Sequence, residues 1–410
     1  MKSISKYYCR SYQFCLKTAI PLLPYREPEI IHSIETLPRV LQDKGIKSVL
    51  LITDSGIRSN GLTAPLEKLL KDSGIRCPVY DQTAANPTSK NVEEARSLYH
   101  LESCGAIIGF GGGSSMDCAK AVGARIARPH TPLSKMEGIL RVGHPLPLLI
   151  AVPTTAGTGS EVTVAAVITD SETHHKYAIT DFFLIPDIAV HDPELTKSLP
   201  KSLTATTALD ALTHAVEAYI GRSTTKKSRE NALEAVKLIY ANLDRAYENG
   251  NDLEARANLL RASYLAGQAF SVSYVGYAHA MAHALSGKYN LPHGYTNAVL
   301  LPWVLDAYGG AIHQKLCDLA VAAGIADSDA VPSIAAAAFI RSIRNMDRRF
   351  SIPCSFREIR EEDIPALAKT ADHEANPLYP VPVLMDVPQL EKLFRQVMSD
   401  SHGAKTEEIA

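Results

Sequence analysis

The stretch 105–120, "GAIIGFGGGSSMDCAK", decides the fold. Its apolar first half predicts a buried strand that runs into three glycines at 111–113, where the backbone can approach a ligand closely. Ser114 and Asp117 have the spacing of a capping box, which predicts that a helix starts here. The N–H groups at such a helix end bind phosphate, although a lone glycine triplet is equally typical of a tight turn without a ligand.

A second strand lies upstream of this stretch. The run "KSVLLITD" at 47–54 predicts another buried strand, and helical patterns cover 61–73 and 90–103. This alternation predicts a doubly wound α/β domain with a parallel sheet. Asp54 ends the strand, where a carboxylate can accept a hydrogen bond from a ribose 2′-OH and would repel a 2′-phosphate, which favours NAD over NADP. A turn aspartate that caps the next helix explains the residue equally well.

Downstream, the segment "PTTAGTGSE" at 153–161 follows an apolar run that predicts a further strand. Four hydroxyl side chains stand beside two glycines here: Thr154, Thr155, Thr158 and Ser160. Such a loop suits hydrogen bonds to a pyrophosphate, a ribose or an amide. Two small-residue loops at strand ends in one domain therefore predict a bound nucleotide.

The pattern changes near residue 198. Strand-like runs become scarce, and long helical stretches rich in Ala and Leu continue to about residue 350. We therefore predict an α/β domain over 1–198 and an all-helical domain over 199–410. A length of 410 residues with an apolar content of 46% is sufficient for two such domains.

Composition argues against several classes of protein. The 42 basic and 44 acidic residues give a formal net charge of −2 and are spread along the chain, so neither a nucleic acid nor an anionic membrane is expected as a partner. The seven cysteines are scattered and odd in number, which favours reduced thiols in a cytoplasmic protein. The N-terminal segment lacks an uninterrupted apolar core, so we expect neither a signal peptide nor a membrane span.

The helical half carries residues with metal-binding chemistry. Asp210 and His214, in "DALTHAVEAY", are four residues apart and share one helix face with Glu217. Taken alone, this spacing is more typical of the solvated face of an amphipathic helix than of a metal site.

The stretch 279–294, "HAMAHALSGKYNLPHG", changes that balance because it begins inside a long segment without Asp, Glu, Lys or Arg. Its histidines are expected to be buried, and an unpaired buried polar group costs about 1–3 kcal/mol. His279 and His283 share a helix face, and a turn brings His293 back. With the Asp-His pair of the previous motif, any four of the five side chains would suit Fe²⁺ or Zn²⁺ and leave one histidine for catalysis.

Four motifs occur in order along the chain: "GGGSSMDCAKA", "PTTAGTGSEVT", "DALTHAVEAY" and "HAMAHALSGKYNLPHG". Over about residues 25 to 385 the sequence resembles the iron-containing alcohol dehydrogenases, often called type III. The resemblance implies an α/β N-terminal dinucleotide-binding domain followed by an all-α metal-binding domain, a dehydroquinate synthase-like plan. It also implies a cytoplasmic location and a homodimer.

The resemblance further implies roles for individual residues. The implied metal ligands are Asp210, His214, His279 and His293. His283 is then the extra histidine, close to the substrate and with a proton-relay role. The implied dinucleotide contacts are Asp54, Gly112, Gly113, Ser114, Asp117, Thr154, Thr155, Thr158 and Lys176. Asn86 and Phe270 match positions that line the active-site cleft.

The function implied is that of a metal-dependent alcohol dehydrogenase or aldehyde reductase. Fe²⁺, or else Zn²⁺, would act as a Lewis acid on the oxygen of a small primary alcohol or aldehyde, while NAD, or else NADP, would carry the hydride. Two features depart from typical members. The N-terminal segment through about residue 24 is longer, and Leu378 follows Asn-Pro where many relatives have Arg.

Other functions fit parts of the pattern. A glycerol-type polyol dehydrogenase, or a metal- and NAD-using cyclase similar to dehydroquinate synthase, shares the two-domain plan. The D-A-x-x-H and H-A-x-x-H spacings fit the alcohol dehydrogenases better. Nothing in the sequence indicates the lost activity of a non-catalytic metal or nucleotide sensor, because every expected ligand is present.

Overall fold

The computed structural model describes residues 3–19 and 23–399. Their strands are β1 Glu29–Ile31, β2 Val49–Ile52, β3 Val79–Tyr80, β4 Ala106–Gly111, β5 Gly138–Ile139, β6 Leu148–Pro153, β7 Ala165–Thr169, β8 Lys176–Thr180 and β9 Ile188–Val190. Their α-helices are α1 Ser3–Ala19, α2 Leu37–Asp43, α3 Ser55–Ser59, α4 Ala64–Asp72, α5 Ser89–Leu101, α6 Gly113–Ala127, α7 Lys201–Ile220, α8 Lys226–Glu248, α9 Leu253–Ser273, α10 Tyr277–Tyr289, α11 His293–Tyr308, α12 His313–Ala322, α13 Pro332–Arg349, α14 Ile364–Ala375 and α15 Val387–Val397.

The main sheet has six strands in the order β1-β9-β6-β4-β2-β3, and every neighbouring pair is parallel. All residues of β4 are buried, because its side chains pack alternately into two apolar cores. Helices α5 and α6 complete one core, and α2 and α4 complete the other. The predicted doubly wound α/β domain is therefore confirmed.

The register of this sheet brings the two small-residue loops together. Strand β4 pairs with β6 along its whole length, and Gly111 lies opposite Pro153. The two loops therefore leave the carboxyl ends of neighbouring parallel strands side by side, which is where open α/β sheets bind their ligands. A separate three-stranded sheet, β5-β8-β7, contains the strand that follows the second loop.

The start of α6 differs from the prediction. Its N-cap residue is Gly112, and no side chain caps the helix, so the predicted capping box between Ser114 and Asp117 is wrong. The Asp117 carboxylate instead accepts hydrogen bonds from Ser160 Oγ at 2.7 Å and from the Val167 N–H at 3.0 Å. The Asp117 carboxylate therefore binds two donors outside α6 instead of capping the helix.

Beyond β9 the described chain contains helices but no further sheet strand, so the predicted fold class, an α/β domain followed by a helical domain, is confirmed. Among the described helices, none combines the length and apolar character needed to cross a membrane. All seven cysteines are free of disulfide bonds in the structure.

The described residues divide into two compact units. The α/β unit contains Leu23–Thr204 and also Asn242–Ser271, and the helical unit contains 3–19, Ala205–Ala241 and 272–399. Parts of α8 and α9 thus belong to the α/β unit although they come late in the chain. The single domain boundary near residue 198 stays a prediction.

Candidate functional site

The helical unit brings together the four predicted metal ligands. Helix α7 carries Asp210 and His214 one turn apart, α10 carries His279 near its start, and α11 begins at His293. One ligand atom from each of these residues lies within 4.8 Å of all the others. Within residues 3–19 and 23–399, no second group of His, Cys, Asp and Glu side chains converges in this way.

Burial decides between the alternatives for the α7 motif. Asp210 is 2% exposed and His214 is 5% exposed, so the solvated-face interpretation of this motif is wrong. His279 is also buried, as the uncharged segment around it predicts. A buried carboxylate among imidazoles needs a compensating positive charge or hydrogen bonds, because burial of an unpaired charge is costly.

Two residues at the start of α11 allow it to reach α7. A Cβ atom on Gly294 would lie 2.6 Å from the carbonyl oxygen of Thr206, so only glycine permits this close helix contact. Asn297, one turn later and fully buried, donates through Nδ2 to Asp210 Oδ1 at 2.7 Å. The same Nδ2 is 3.1 Å from His293 Nε2, so Asn297 sets the spacing between two candidate ligands.

Glu217 orients His279. Its carboxylate lies 2.6 Å from His279 Nδ1 and accepts the N–H groups of Gly276 and Ala278, each at 2.8 Å. Burial raises the pKa of Glu217 to about 7, and the two backbone N–H groups oppose that shift. A carboxylate on one ring nitrogen fixes the tautomer of a metal-binding histidine and turns the other nitrogen toward the ion.

The other nitrogen of His279 supports a metal at this position. Nε2 is buried and has no hydrogen-bond partner within the described residues. Burial, reinforced by the neighbouring His214, holds the pKa of His279 well below its ordinary value, and the neutral imidazole is the form that binds metals. Three imidazoles and one carboxylate suit Fe²⁺ or Zn²⁺, so the residues present fit such an ion.

His283 is separate from this group of four but adjacent to it. Its ring stacks on that of His293 with centroids 5.1 Å apart. Its Nδ1 lies 2.6 Å from Glu374 Oε1, and the same oxygen accepts the hydroxyl of Tyr379 at 2.7 Å. The structure therefore gives the extra histidine a carboxylate partner of its own.

The α/β unit carries the predicted dinucleotide contacts. A Cβ atom on Gly113 would lie 2.9 Å from Thr158 Cγ2, so the two small-residue loops touch each other. Because no side chain caps α6, the N–H groups of its first turn are suited to a phosphate, and the dinucleotide contacts of Gly112, Gly113 and Ser114 stay predictions. Ser114 Oγ also donates to the carbonyl of Ala85.

Two predicted cofactor carboxylates have structural roles. Asp54 Oδ1 accepts the Ile57 N–H at 2.9 Å and caps α3, which is the alternative that the sequence left open. Asp117 joins α6 to the second loop through Ser160, as described above, and Thr154 and Thr155 precede that contact in the same loop. Contacts of these residues with NAD stay predictions.

The remaining predicted residues also lie in the α/β unit. Lys176 Nζ donates to Asn86 Oδ1 at 2.9 Å, so a predicted cofactor residue and a predicted cleft residue are paired. Phe270 is half-buried near the end of α9. Their roles toward cofactor and substrate stay predictions.

Sequence reasoning missed several residues that shape the helical site. Glu217 was visible on the face of the Asp-His motif, but nothing local indicated that it would contact His279. Asn297 follows His293 by one helical turn, a spacing that could have been noticed. Glu374 and Tyr379 are distant from His283 in sequence, so no local signal connects them.

Comparison with known proteins gives the family. The family description "Iron-containing alcohol dehydrogenase" matches residues 30–193, and "Fe-containing alcohol dehydrogenase family, C-terminal" matches residues 204–398. The chain belongs to the iron-containing alcohol dehydrogenase family. It is therefore an oxidoreductase of the alcohol dehydrogenase class, and the predicted resemblance is confirmed.

Relatives of this alcohol dehydrogenase cover most of its length. It is 38% identical over 357 residues to a 1,3-propanediol dehydrogenase of Klebsiella pneumoniae, covering 86% of this chain and 92% of the relative. It is 35% identical over 358 residues to a NAD-dependent methanol dehydrogenase of Bacillus methanolicus, covering 86% and 93%. A solved 1,3-propanediol oxidoreductase has a TM-score of 0.87 at 35% identity, covering 91% of this chain and 99% of that one.

Proposed function

We propose that this chain is a NAD-dependent alcohol dehydrogenase and aldehyde reductase that holds Fe²⁺ on Asp210, His214, His279 and His293. The observation that carries the proposal is the convergence of these four ligand atoms within 4.8 Å, in a chain of the iron-containing family. Zn²⁺ suits the same ligands, so the native ion depends on geometry and supply. A cytoplasmic location and a homodimer stay predictions.

A divalent ion held there would act as a Lewis acid toward the oxygen of an alcohol or a carbonyl group. The chain's own residues prepare this position. Glu217 holds the His279 ring by Nδ1, so that Nε2 is the nitrogen available for binding. Asn297 holds the Asp210 carboxylate through Oδ1.

His283 transfers the proton of the reaction in this proposal. Oxidation of an alcohol releases a hydride, which NAD⁺ would accept, and a proton, which must reach solvent. With Nδ1–H donated to Glu374, the neutral ring of His283 presents Nε2 as a proton acceptor. In aldehyde reduction the same nitrogen would return the proton.

The loops of the α/β unit bind the dinucleotide in this proposal. The uncapped first turn of α6 receives a phosphate, and the hydroxyls of Thr154, Thr155 and Thr158 supply further hydrogen bonds. Asp54 accepts the ribose 2′-OH and disfavours a 2′-phosphate, which supports NAD rather than NADP.

Small primary alcohols and their aldehydes are the proposed substrates. Diols are a second substrate class, because a relative at 38% identity is a 1,3-propanediol dehydrogenase.

The proposal is tested with protein purified without oxygen and loaded separately with Fe²⁺ or Zn²⁺. NADH and NADPH absorbance is followed with acetaldehyde, butyraldehyde, lactaldehyde, 3-hydroxypropanal and dihydroxyacetone. Metal-dependent loss of NADH with an aldehyde is the expected result. Stoichiometric metal without turnover for any pairing would contradict the proposal.

A further inference from the structure

The candidate proton relay His283 contacts a group of hydrogen-bonded residues that lie outside its own helix, α10. We propose that Glu374 is a positioning residue that fixes the ring and tautomer of His283, and that Tyr379 and helix α1 hold Glu374 in place. The inference rests on the proposed function, in which His283 moves the proton. The four members of this network are His283, Glu374, Tyr379 and helix α1, and all of them belong to the helical unit.

The contact between Glu374 and His283 is short and specific. Glu374 Oε1 lies 2.6 Å from His283 Nδ1, and both side chains are about 30% exposed, at 28% and 30%. A carboxylate has no proton to donate, so the ring must donate Nδ1–H, and the neutral form of the ring then has its lone pair on Nε2. Without this partner, the two neutral tautomers of the ring would both be accessible, and only one of them can accept a proton at Nε2.

Tyr379 holds the carboxylate from the other side. Its buried hydroxyl donates to the same Glu374 Oε1 at 2.7 Å. Burial works to raise the pKa of Glu374, but the neighbouring His283 and the hydrogen bonds from His283 and Tyr379 hold that pKa below its ordinary value. The carboxylate therefore stays an acceptor for both donors at neutral pH.

Helix α1 fixes the segment that carries Tyr379. The buried side chain of Gln13 donates through Nε2 to the carbonyl of Tyr379 at 2.7 Å and to that of Pro377 at 3.1 Å. Arg10 donates to the carbonyls of Val381 at 2.7 Å and Pro382 at 3.0 Å.

Four side-chain hydrogen bonds from one helix thus bind a stretch of six residues, 377–382. The family match begins at residue 30, so α1 lies outside it. The N-terminal extension consequently has a role in the site: it holds the main chain of the residue whose hydroxyl contacts Glu374. Charge-assisted and buried bonds of this kind keep a segment in one conformation.

The test compares Glu374→Ala, Glu374→Gln and Tyr379→Phe with Glu362→Ala, an exposed acid just before α14. Positioned proton transfer contributes about 10²- to 10⁴-fold to rate, so Glu374→Ala is expected to lower kcat roughly ten- to a hundredfold with little change in KM. Glu374→Gln should have a higher kcat than Glu374→Ala, since the amide oxygen of glutamine still accepts the Nδ1–H of His283. Tyr379→Phe should lower kcat by about two- to tenfold, and bound metal should equal that of the wild type throughout.

A second readout does not depend on turnover. In zinc-loaded protein with ¹⁵N-labelled histidine, the His283 signals are assigned by comparison with His283→Gln, and they report which nitrogen carries the proton. The Nδ1–H form is expected in the wild type and a mixture of tautomers in Glu374→Ala. The same tautomer in both proteins would overturn the inference.

Helix α1 is tested with Arg10→Ala against Lys6→Ala, a residue on the exposed face of the same helix. Arg10→Ala is expected to lower kcat by about two- to fivefold, whereas Lys6→Ala should match the wild type. If the wild type is active and kcat is unchanged in both Glu374→Ala and Arg10→Ala, the positioning network is refuted and the proposed function stands. A wild type that turns over no alcohol or aldehyde refutes the proposed function, and the tautomer measurement still decides the network.

Discussion

At the residue scale, the position of His279 depends on Glu217. Three donors point at one carboxylate: two backbone N–H groups and the ring Nδ1–H of His279. Glutamine in this place would present an NH₂ group to at least one of those donors, so the ring would turn. Glu217→Gln is therefore expected to weaken metal binding by about ten- to a hundredfold, as measured by competition with a chelator.

The matched control for this change is Glu362→Gln, which replaces an exposed carboxylate by the same amide. It should bind metal as the wild type does. Equal metal affinity in Glu217→Gln and wild type would mean that His279 is held by something other than Glu217.

The two histidines of α10 should separate metal binding from catalysis. His279→Ala removes a candidate ligand and should abolish stoichiometric metal, measured by elemental analysis after dialysis. His283→Ala should keep the metal and lower kcat by about a hundredfold, because only the proton acceptor is lost. Equal loss of metal in both variants would disprove the ligand assignment.

The histidines also show what a sequence can reveal about a site. The residue types and spacings suggested a metal site with five candidate ligands before any geometry was known. The family resemblance then implied Asp210, His214, His279 and His293, and the structure brings these four together. The sequence could not indicate their hydrogen-bond partners, because Glu374 is 91 residues away from His283 and Glu217 is 62 residues away from His279. Contacts of that range depend on how the helices pack.

At the element scale, the turn between β4 and α6 depends on one glycine. Gly111 has φ +149°, and a Cβ atom there would lie 2.6 Å from Ser115 Oγ and 2.8 Å from Ile57 Cδ1. Gly111→Ala should therefore lower the free energy of unfolding by roughly 1–3 kcal/mol, measured by urea denaturation.

Gly112 is the neighbouring comparison, since its φ is −79° and the nearest atom to an added Cβ is 3.5 Å away. Gly112→Ala should change the free energy of unfolding by less than about 1 kcal/mol while weakening NADH binding, because the methyl group would occupy the phosphate approach. Similar destabilisation by both substitutions would contradict this account of the turn.

Strands and helices were predicted well where the apolar residues of the sequence follow a clear pattern. They were predicted less well where contacts between residues far apart in the chain determine the local structure. The buried runs of β2, β4 and β6 and the helices around them follow from the apolar pattern alone. The capping box failed because the Asp117 carboxylate accepts hydrogen bonds from Ser160 in the second loop and from Val167 in β7, which are 43 and 50 residues further along the chain. The grouping of 242–271 with the α/β unit likewise depends on packing that no local pattern reports.

At the scale of the whole molecule, Asp347 should make stability depend on pH. It lies in α13, and burial raises its pKa to about 8, against the weaker opposing effect of Arg344. Between pH 3.8 and about 8 the folded protein keeps this proton while the unfolded chain releases it, so the contribution to stability is lost as pH rises through that window.

Asp347→Asn removes this ionisation. The stability of the variant relative to the wild type should increase by roughly 2–4 kcal/mol between pH 5 and pH 8, measured by chemical denaturation at both values. A difference between the two proteins that is constant with pH would show that Asp347 ionises freely in the folded state.

The central claim is that four side chains from three helices hold one metal ion in an alcohol dehydrogenase. Anomalous diffraction at the iron edge, from crystals grown without oxygen in the presence of Fe²⁺, tests it most directly. The account predicts one strong peak at about 2.0–2.2 Å from a nitrogen of His214, His279 and His293 and from an oxygen of Asp210. A peak at any other position, or no peak in fully loaded crystals, would contradict it.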